Sequence, residues 1–242
     1  MRAIIIPRSS WPRKRGSSFL QTLVFAALAA VLLSPGSCTK AVAVDDFQTW
    51  QWLTVRVWKT NNFRLLLYGD NRMADTSGRQ KLFILGPRVR YRLNPNLTLG
   101  AGYLFLDAQN LTTGTWRHEH RFDAAITPRF ELSENTSLQF RNRLETRWRE
   151  RADSVAYRSR HRLQLRRDAR LGPIEAIYCN NEFLIDYDQG RFNENRLIPA
   201  GVEFRVHQRS TISLFYMLQS VRRTTGQWDA NHILGTHLKL QF

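Results

Sequence analysis

Hydrophobic and polar positions alternate along most of this chain with a period of two. The clearest run lies in the stretch 138–170, where Leu138, Phe140, Leu144 and Trp148 share one parity while Gln139, Arg141, Arg143, Glu145, Arg147 and Arg149 share the other. After a polar break, Val155, Tyr157, His161, Leu163 and Leu165 alternate with Arg158, Arg160, Arg162, Gln164 and Arg166. Successive side chains of a strand point to opposite faces, whereas a helix would scatter both sets around its circumference. The stretch therefore predicts two strands, each with one apolar and one charged face.

The same reading predicts strands over 47–58, 63–72, 80–93, 96–107, 117–132, 136–150, 155–170, 173–187, 195–207, 210–223 and 231–242. Short breaks such as Thr60-Asn61-Asn62, Asn94-Pro95-Asn96, Ser133-Glu134-Asn135 and Leu171-Gly172-Pro173 alternate with longer ones over 107–116, 188–195 and 224–231. That rhythm describes an up-and-down meander. Most segments exceed the roughly five or six residues of a soluble strand and reach the nine to eleven or so that a tilted strand needs to cross a bilayer. Lipid offers no partner to a free amide, so a sheet crosses it only as a closed barrel, apolar outside and polar inside. The predicted fold is all-β, a single antiparallel up-and-down transmembrane β-barrel. Eleven segments are counted, while single-chain bacterial barrels usually carry an even number; this favours about twelve strands, with ten as the alternative. Segments 173–187, 195–207 and 210–223 alternate poorly, and Glu203 and Arg205 oppose Arg196 in parity. That predicts a bulge, or a strand continuing beyond the bilayer.

The two ends of the chain bear on its location. Residues 1–16 carry Arg2, Arg8, Arg13, Lys14 and Arg15, residues 19–33 are apolar apart from Gln21 and Thr22, and Ala41-Val42-Ala43 supplies a small-x-small cleavage pattern. This predicts a Sec-type signal peptide over 1–43, with the barrel over 44–242. At the other end Thr236, Leu238, Leu240 and Phe242 share a face, and the chain stops on Phe242. A terminal aromatic on an alternating strand resembles the assembly signal of bacterial outer-membrane barrels, which predicts the barrel assembly machinery as a partner of that strand. The expected location is the outer membrane of a Gram-negative bacterium. Trp50, Trp52, Trp58, Trp116, Trp148 and Trp228 fall near predicted strand ends or loops, where interfacial girdles form.

Composition adds the charge. The 242 residues carry a formal net charge of +16, of which about +10 remains beyond residue 43. A basic chain invites nucleic acid, anionic lipid or small anions; export excludes nucleic acid. Cys179 alone remains after the leader, so no intramolecular disulfide and no cysteine-based metal site is expected. The six histidines show no metal-ligand spacing, and no cofactor is expected.

The candidate interior is an Arg/Glu ladder: Arg88, Arg90, Arg92, Arg121, Arg129, Arg141, Arg143, Glu145, Arg147, Arg149, Arg158, Arg160, Arg162 and Arg166. Facing lipid, each arginine near the midplane would cost about 2 to 4 kcal/mol, so these residues are expected to face the lumen. Two roles stay open: a salt-bridged structural filling, or an electropositive, narrow pore for anionic solutes. A soluble exported β-barrel that binds an anionic ligand is the first alternative. The second is an outer-membrane lipid-modifying enzyme using Ser159 and His161, which share the apolar parity. At about 7 Å along one strand face they stand too far apart for a nucleophile and its base, so no catalytic residue is assigned and no enzyme is expected.

Several short motifs carry a family resemblance: Asp46-Phe47-Gln48-x-Trp50, Tyr91-Arg92-Leu93-Asn94 followed by Gly102-Tyr103, His120-Arg121-Phe122, Arg141-x-Arg143-x-Glu145-x-Arg147, Tyr157-Arg158-x-Arg160-x-Arg162, Asn181-Glu182-Phe183, Asn195-Arg196 with Gly201, and the terminal Phe242. In this order they resemble the domain of unknown function 2490 family, uncharacterised outer-membrane β-barrel proteins of Gram-negative bacteria. The resemblance spans nearly the whole chain beyond the leader. It implies location and architecture and brings no catalytic residues.

Overall fold

The computed structural model describes residues 46–242. The signal peptide expected over 1–43, with Cys38, lies outside the described residues. Eleven strands follow one another: β1 (Asp46–Lys59), β2 (Phe63–Ala74), β3 (Arg79–Asn94), β4 (Leu97–Gln109), β5 (Trp116–Ser133), β6 (Thr136–Arg149), β7 (Ala156–Leu171), β8 (Ile174–Asp186), β9 (Arg191–His207), β10 (Ser210–Arg222) and β11 (Trp228–Gln241). Each pairs with its neighbours in sequence, and β1 pairs with β11 to close the barrel. All ten sequential pairings are antiparallel.

The expected count of about twelve, or ten, is corrected to eleven. An odd meander leaves its first and last strands pointing the same way, so the closing seam is parallel, running in unbroken register from Asp46 opposite Asn231 to Arg56 opposite Gln241. A wholly antiparallel barrel is therefore also corrected at this seam. Parallel pairing is slightly weaker per residue, and here eleven residues on each side share the load.

The connections sort to two ends. One end carries the tight turns after β1, β3, β5, β7 and β9 together with the chain terminus; the other carries the connections after β2, β4, β6, β8 and β10. At the turn between β7 and β8, Gly172 adopts a φ of 56°, a left-handed conformation that glycine takes without steric cost.

Two irregularities explain where alternation fails. In β1, Arg56 and Trp58 oppose the adjacent Leu66 and Leu65, so Val57 is an extra residue. Trp58 is thereby turned outward, against Phe63 with ring centroids 5.5 Å apart. In β9, the partners of Tyr216 and Leu218 are Ala200 and Leu197, and those of Tyr178 and Asn180 are Gly201 and Ile198. Both neighbours thus skip one residue around Pro199, which has no N–H to give a ladder. This bulge accounts for the opposed parity of Arg196 and Glu203, both of which end up buried inside.

The exterior is apolar on every strand. Leu53, Leu67, Leu85, Tyr103, Phe122, Leu144, Tyr157, Phe183, Phe192, Leu214 and Leu234 are all exposed. The interior is mostly charged over β5 to β9 and mixed elsewhere, with two apolar clusters. Trp50, Ile198, Phe215, Met217 and Ile233 form one buried cluster with Trp52 and Tyr178 against it, and Ile84, Leu104 and Leu106 form another. Trp50 and Trp52 therefore lie inside the barrel, a correction to the girdle expected from their nearness to a strand end. Glycine makes room for this packing: a Cβ on Gly235 would lie 2.0 Å from the Phe215 ring.

Candidate functional site in the barrel interior

The ladder residues on β6 and β7 meet across a register that places like charges side by side, with Arg141 opposite Arg162 and Arg143 opposite Arg160. Directly opposed like charges repel, so the arrangement holds only because carboxylates enter between them. Glu145, fully buried, receives Arg158 at 2.6 Å, Arg160 at 3.1 Å, and Arg121 and Arg143 at 3.7 Å. Glu182 receives Arg141, Arg160 at 2.5 Å and Arg196 at 3.9 Å. Glu119 is shared by Arg121 and Arg147, both at 2.7 Å, and Arg149 at 3.7 Å. The two-pronged guanidinium suits this sharing, since one arginine can bridge two carboxylates; Arg160 does so between Glu145 and Glu182.

Other interior cations are held in the same way. Arg88 reaches Asp123 at 2.9 Å across β4, Arg166 reaches Glu203 at 3.0 Å, and Lys239 shares that carboxylate. Arg72 binds Asp70 at 2.6 Å and stacks 3.7 Å from the Trp50 ring centroid, which Arg196 approaches at 5.1 Å. The Trp50 ring, approached by both guanidiniums, joins the apolar cluster to the ionic one.

These contacts divide the lumen in two. Toward the end of the longer connections Gln48, Glu145, Arg158, Asp186, Glu194, Gln219 and Asn231 are all buried, and Glu194, Gln219 and Asn231 are joined by hydrogen bonds. Toward the tight-turn end lies a cavity of about 590 Å³ lined by residues of all eleven strands, from Trp52, Thr54 and Arg56 to His237 and Lys239. Thirteen arginines and Lys239 line it against Asp70, Asp168, Glu182 and Glu203. Arg56, Arg64, Arg90 and Arg162 have no carboxylate within 4.0 Å among the described residues. The Nε groups of Arg56, Arg88, Arg141 and Arg162 are buried donors without an acceptor among the described residues.

Among the candidate ladder residues, Arg88, Arg90, Arg121, Arg129, Arg141, Arg143, Arg160, Arg162 and Arg166 line this cavity. Glu145 and Arg158 lie in the filled half. Arg147 and Arg149 sit with Glu119 near the end of β6. Arg92 keeps the ladder parity but is exposed beside the first turn, where its Nη2 donates to the Asn61 carbonyl at 2.9 Å, so it is a rim residue and not a lumen one. Phe242 follows β11 and is 77% exposed. Arg56, Arg64, Asp70, Arg72 and Lys239 were missed as interior residues; Arg56 sits just before the β1 bulge, and on β2 polar and apolar residues mix on both parities.

On the outer wall, His118 lies 3.2 Å from Asp107 and His120 is hydrogen-bonded to Tyr103 at 2.7 Å. Just past β6, the Glu150 carboxylate accepts the His118 N–H at 3.1 Å, and that bond lowers its pKa below the ordinary carboxylate value. His161 Nε2 stands 3.1 Å from Ser159 Oγ, and His161 Nδ1 stands 2.7 Å from Asn142 Oδ1 on β6. This corrects the separation inferred from strand spacing: the long imidazole leans along the strand and covers the distance. No cluster of three or more potential metal ligands occurs among the described residues.

Fold and interior together define a closed β-barrel with an apolar outer wall and an arginine-rich, partly filled lumen. The chain belongs to the family described as "Protein of unknown function (DUF2490)", whose profile matches residues 47–231. It is similar to an uncharacterised protein of Methylorubrum extorquens, 24% identical over 220 residues that cover 87% of this chain and 94% of the relative. Among solved structures it matches a bacterial polysaccharide outer membrane secretin (TM-score 0.44, 10% identity, 73% of this chain and 74% of that one). It also matches the beta domain of the Bordetella autotransporter BrkA (TM-score 0.41, 15% identity, 72% and 82%).

Proposed function

We propose that this protein is an outer-membrane β-barrel that does not conduct and instead holds a multivalent anion in the cavity at its tight-turn end. The uncompensated charge of that cavity carries the reading: nine of its thirteen arginines are ion-paired, while Arg56, Arg64, Arg90 and Arg162 have no carboxylate within 4.0 Å among the described residues. Guanidiniums in a fixed fork match carboxylate and phosphate oxygens. The bilayer placement is supported by the continuous outer belt of exposed apolar side chains, which in water would be an aggregation surface far larger than a monomer tolerates. In the usual orientation of such barrels the tight turns face the periplasm, and so would the cavity. The pore alternative is disfavoured by the buried side chains of the other half.

Pyrophosphate and citrate, added to the folded protein in detergent and followed by calorimetry, test this function. Binding should weaken as salt rises and fall at least about tenfold, about 1.4 kcal/mol, in the Arg90→Gln/Arg162→Gln variant. Planar bilayers containing the protein should show no steady conductance. Absence of binding by folded protein, or a stable open channel, overturns the reading.

A further inference from the structure

The outer wall carries a second arrangement that the interior does not explain. Ser159 and His161 project from β7 on the exterior parity, and Asn142 projects from β6 directly opposite His161. The Ser159 Oγ to His161 Nε2 distance is 3.1 Å, and the His161 Nδ1 to Asn142 Oδ1 distance is 2.7 Å. We infer that Ser159, His161 and Asn142 form a serine acyl-hydrolase site on the outer wall of the barrel, acting on acyl esters of membrane lipids.

The geometry assigns each role. Asn142 Oδ1 can only accept, so it holds the proton on Nδ1 and leaves Nε2 as the bare nitrogen facing the Ser159 hydroxyl. That is the nucleophile, base and orienting group of a catalytic triad, recognised by geometry and not by chain order. Nothing in the ladder demands these residues, since β6 and β7 pair through their backbones and the flanking exterior positions are Phe140, Leu144, Tyr157 and Leu163. Three polar side chains in an apolar wall are tolerated because they satisfy one another.

The surroundings select the substrate. Ser159 lies three residues from the start of β7, near the longer-connection end, where the ester linkages of a lipid would sit if the wall spans a bilayer. Leu144 stands opposite it on β6, Tyr157 precedes it on the same face of β7 and Phe183 stands opposite His161 on β8; all three are exposed and offer apolar surface for an acyl chain. Ser159 itself is only 5% exposed beneath this collar, which keeps the nucleophile out of bulk water.

The reaction balances with water as the only co-reactant. Ser159 Oγ bonds to the ester carbonyl carbon as its proton passes to His161 Nε2. The carbon–oxygen bond to the lipid alcohol then breaks, and the leaving oxygen takes that proton. Water next attacks the acyl-serine, giving its proton to Nε2, and the fatty acid departs as Oγ recovers the proton. Backbone amides of a doubly paired strand are committed to the ladder, so the wall lends no free amide to the oxyanion. Turnover is accordingly expected about 10²- to 10³-fold below that of a site with such a donor.

This inference rests on the bilayer placement proposed above but not on the anion cavity. The test is covalent labelling of the folded, detergent-purified full chain with an alkyl fluorophosphonate, read by peptide mass spectrometry, together with fatty-acid release from phosphatidylethanolamine micelles. Wild type should carry one adduct, on Ser159, and release fatty acid; Ser159→Ala should do neither. His161→Gln should lower labelling by about 10³-fold or more. Asn142→Ala should lower it at least about tenfold, and Asn142→Asp, which restores the acceptor, should recover it. Folding of each variant is confirmed by heat-modifiable mobility. Folded wild type that takes no label, or a label that persists in Ser159→Ala, overturns the inference. Outer-membrane fractionation reads the placement separately, so the two can fail independently.

Discussion

The sharpest consequence of the interior geometry concerns Glu145. It is fully buried and stands within 3.7 Å of four guanidiniums, those of Arg121, Arg143, Arg158 and Arg160. Replacement by glutamine keeps the shape and removes the charge. Three of the four arginines then retain another carboxylate: Arg121 keeps Glu119, Arg143 keeps Asp123, and Arg160 keeps Glu182. Arg158 keeps none among the described residues, and it is only 7% exposed. Breaking a buried pair costs about 3 to 5 kcal/mol because one charge is left uncompensated. With one arginine orphaned, the lower end applies, about 3 kcal/mol, or roughly a 150-fold fall in the folded-to-unfolded ratio. In urea, with a slope of about 2 kcal/mol per molar, the unfolding midpoint should fall by about 1.5 M. The assay is urea unfolding in detergent micelles or liposomes, followed by tryptophan fluorescence. Glu131→Gln serves as the comparison, since its pair with Arg129 is exposed on both sides and worth about 0 to 1 kcal/mol. Glu145→Gln/Arg158→Met should recover most of the loss, because removing both charges can be nearly neutral. A Glu145→Gln midpoint no lower than that of Glu131→Gln would refute the account of the ladder as a mutually compensating network.

Further outcomes follow from the packing. Gly86→Ala should impair folding more than Gly235→Ala: the added Cβ would lie 2.1 Å from the Tyr103 backbone oxygen in the first case and 2.0 Å from the Phe215 ring in the second. A ring can shift at a cost of about 1 to 3 kcal/mol, whereas a paired backbone cannot; the heat-modifiable folded fraction measures the difference. Trp50→Ala removes the buried ring that Arg72 and Arg196 both approach and should cost about 3 to 5 kcal/mol, read from the same urea transition. Asp46→Ala should make the β2–β3 connection protease-sensitive, because the Asp46 carboxylate accepts the Asp75 and Thr76 N–H groups. There Asp75, Thr76 and Ser77 all have positive φ, a conformation that costs non-glycine residues about 1 to 2 kcal/mol each.

How much of this was legible before the structure differs between walls. The exterior of β6 and β7 and the charge of their inner faces follow from parity alone, because side-chain direction in a strand depends only on counting. The eleven predicted segments correspond one to one with the eleven strands, the largest shift being the start of β9 at Arg191. The apolar part of the lumen was not legible. Phe215 and Met217 point inward while Leu214 and Leu218 on the same strand are apolar too, so β10 shows no alternation to read. Asn142 is a polar residue on the apolar parity of β6, and parity alone gives it no partner. Its contact with His161 depends on the inter-strand register, which no single strand contains.

The one-dimensional pattern by itself determined the strand content, the inside and outside of most strands and the excess of cationic groups within. Tertiary structure alone decided three things. Closure paired β1 with β11, and an odd number of strands makes that seam parallel. Curvature brought β6, β7 and β8 close enough for Glu145 and Glu182 to serve several arginines each, and left Arg56, Arg64, Arg90 and Arg162 around a cavity without such partners among the described residues. Register set Asn142, His161 and Ser159 in a hydrogen-bonded row on the outer wall. In each case the deciding quantity is a distance between residues far apart in the chain, which alternation leaves free and only a closed, registered sheet determines.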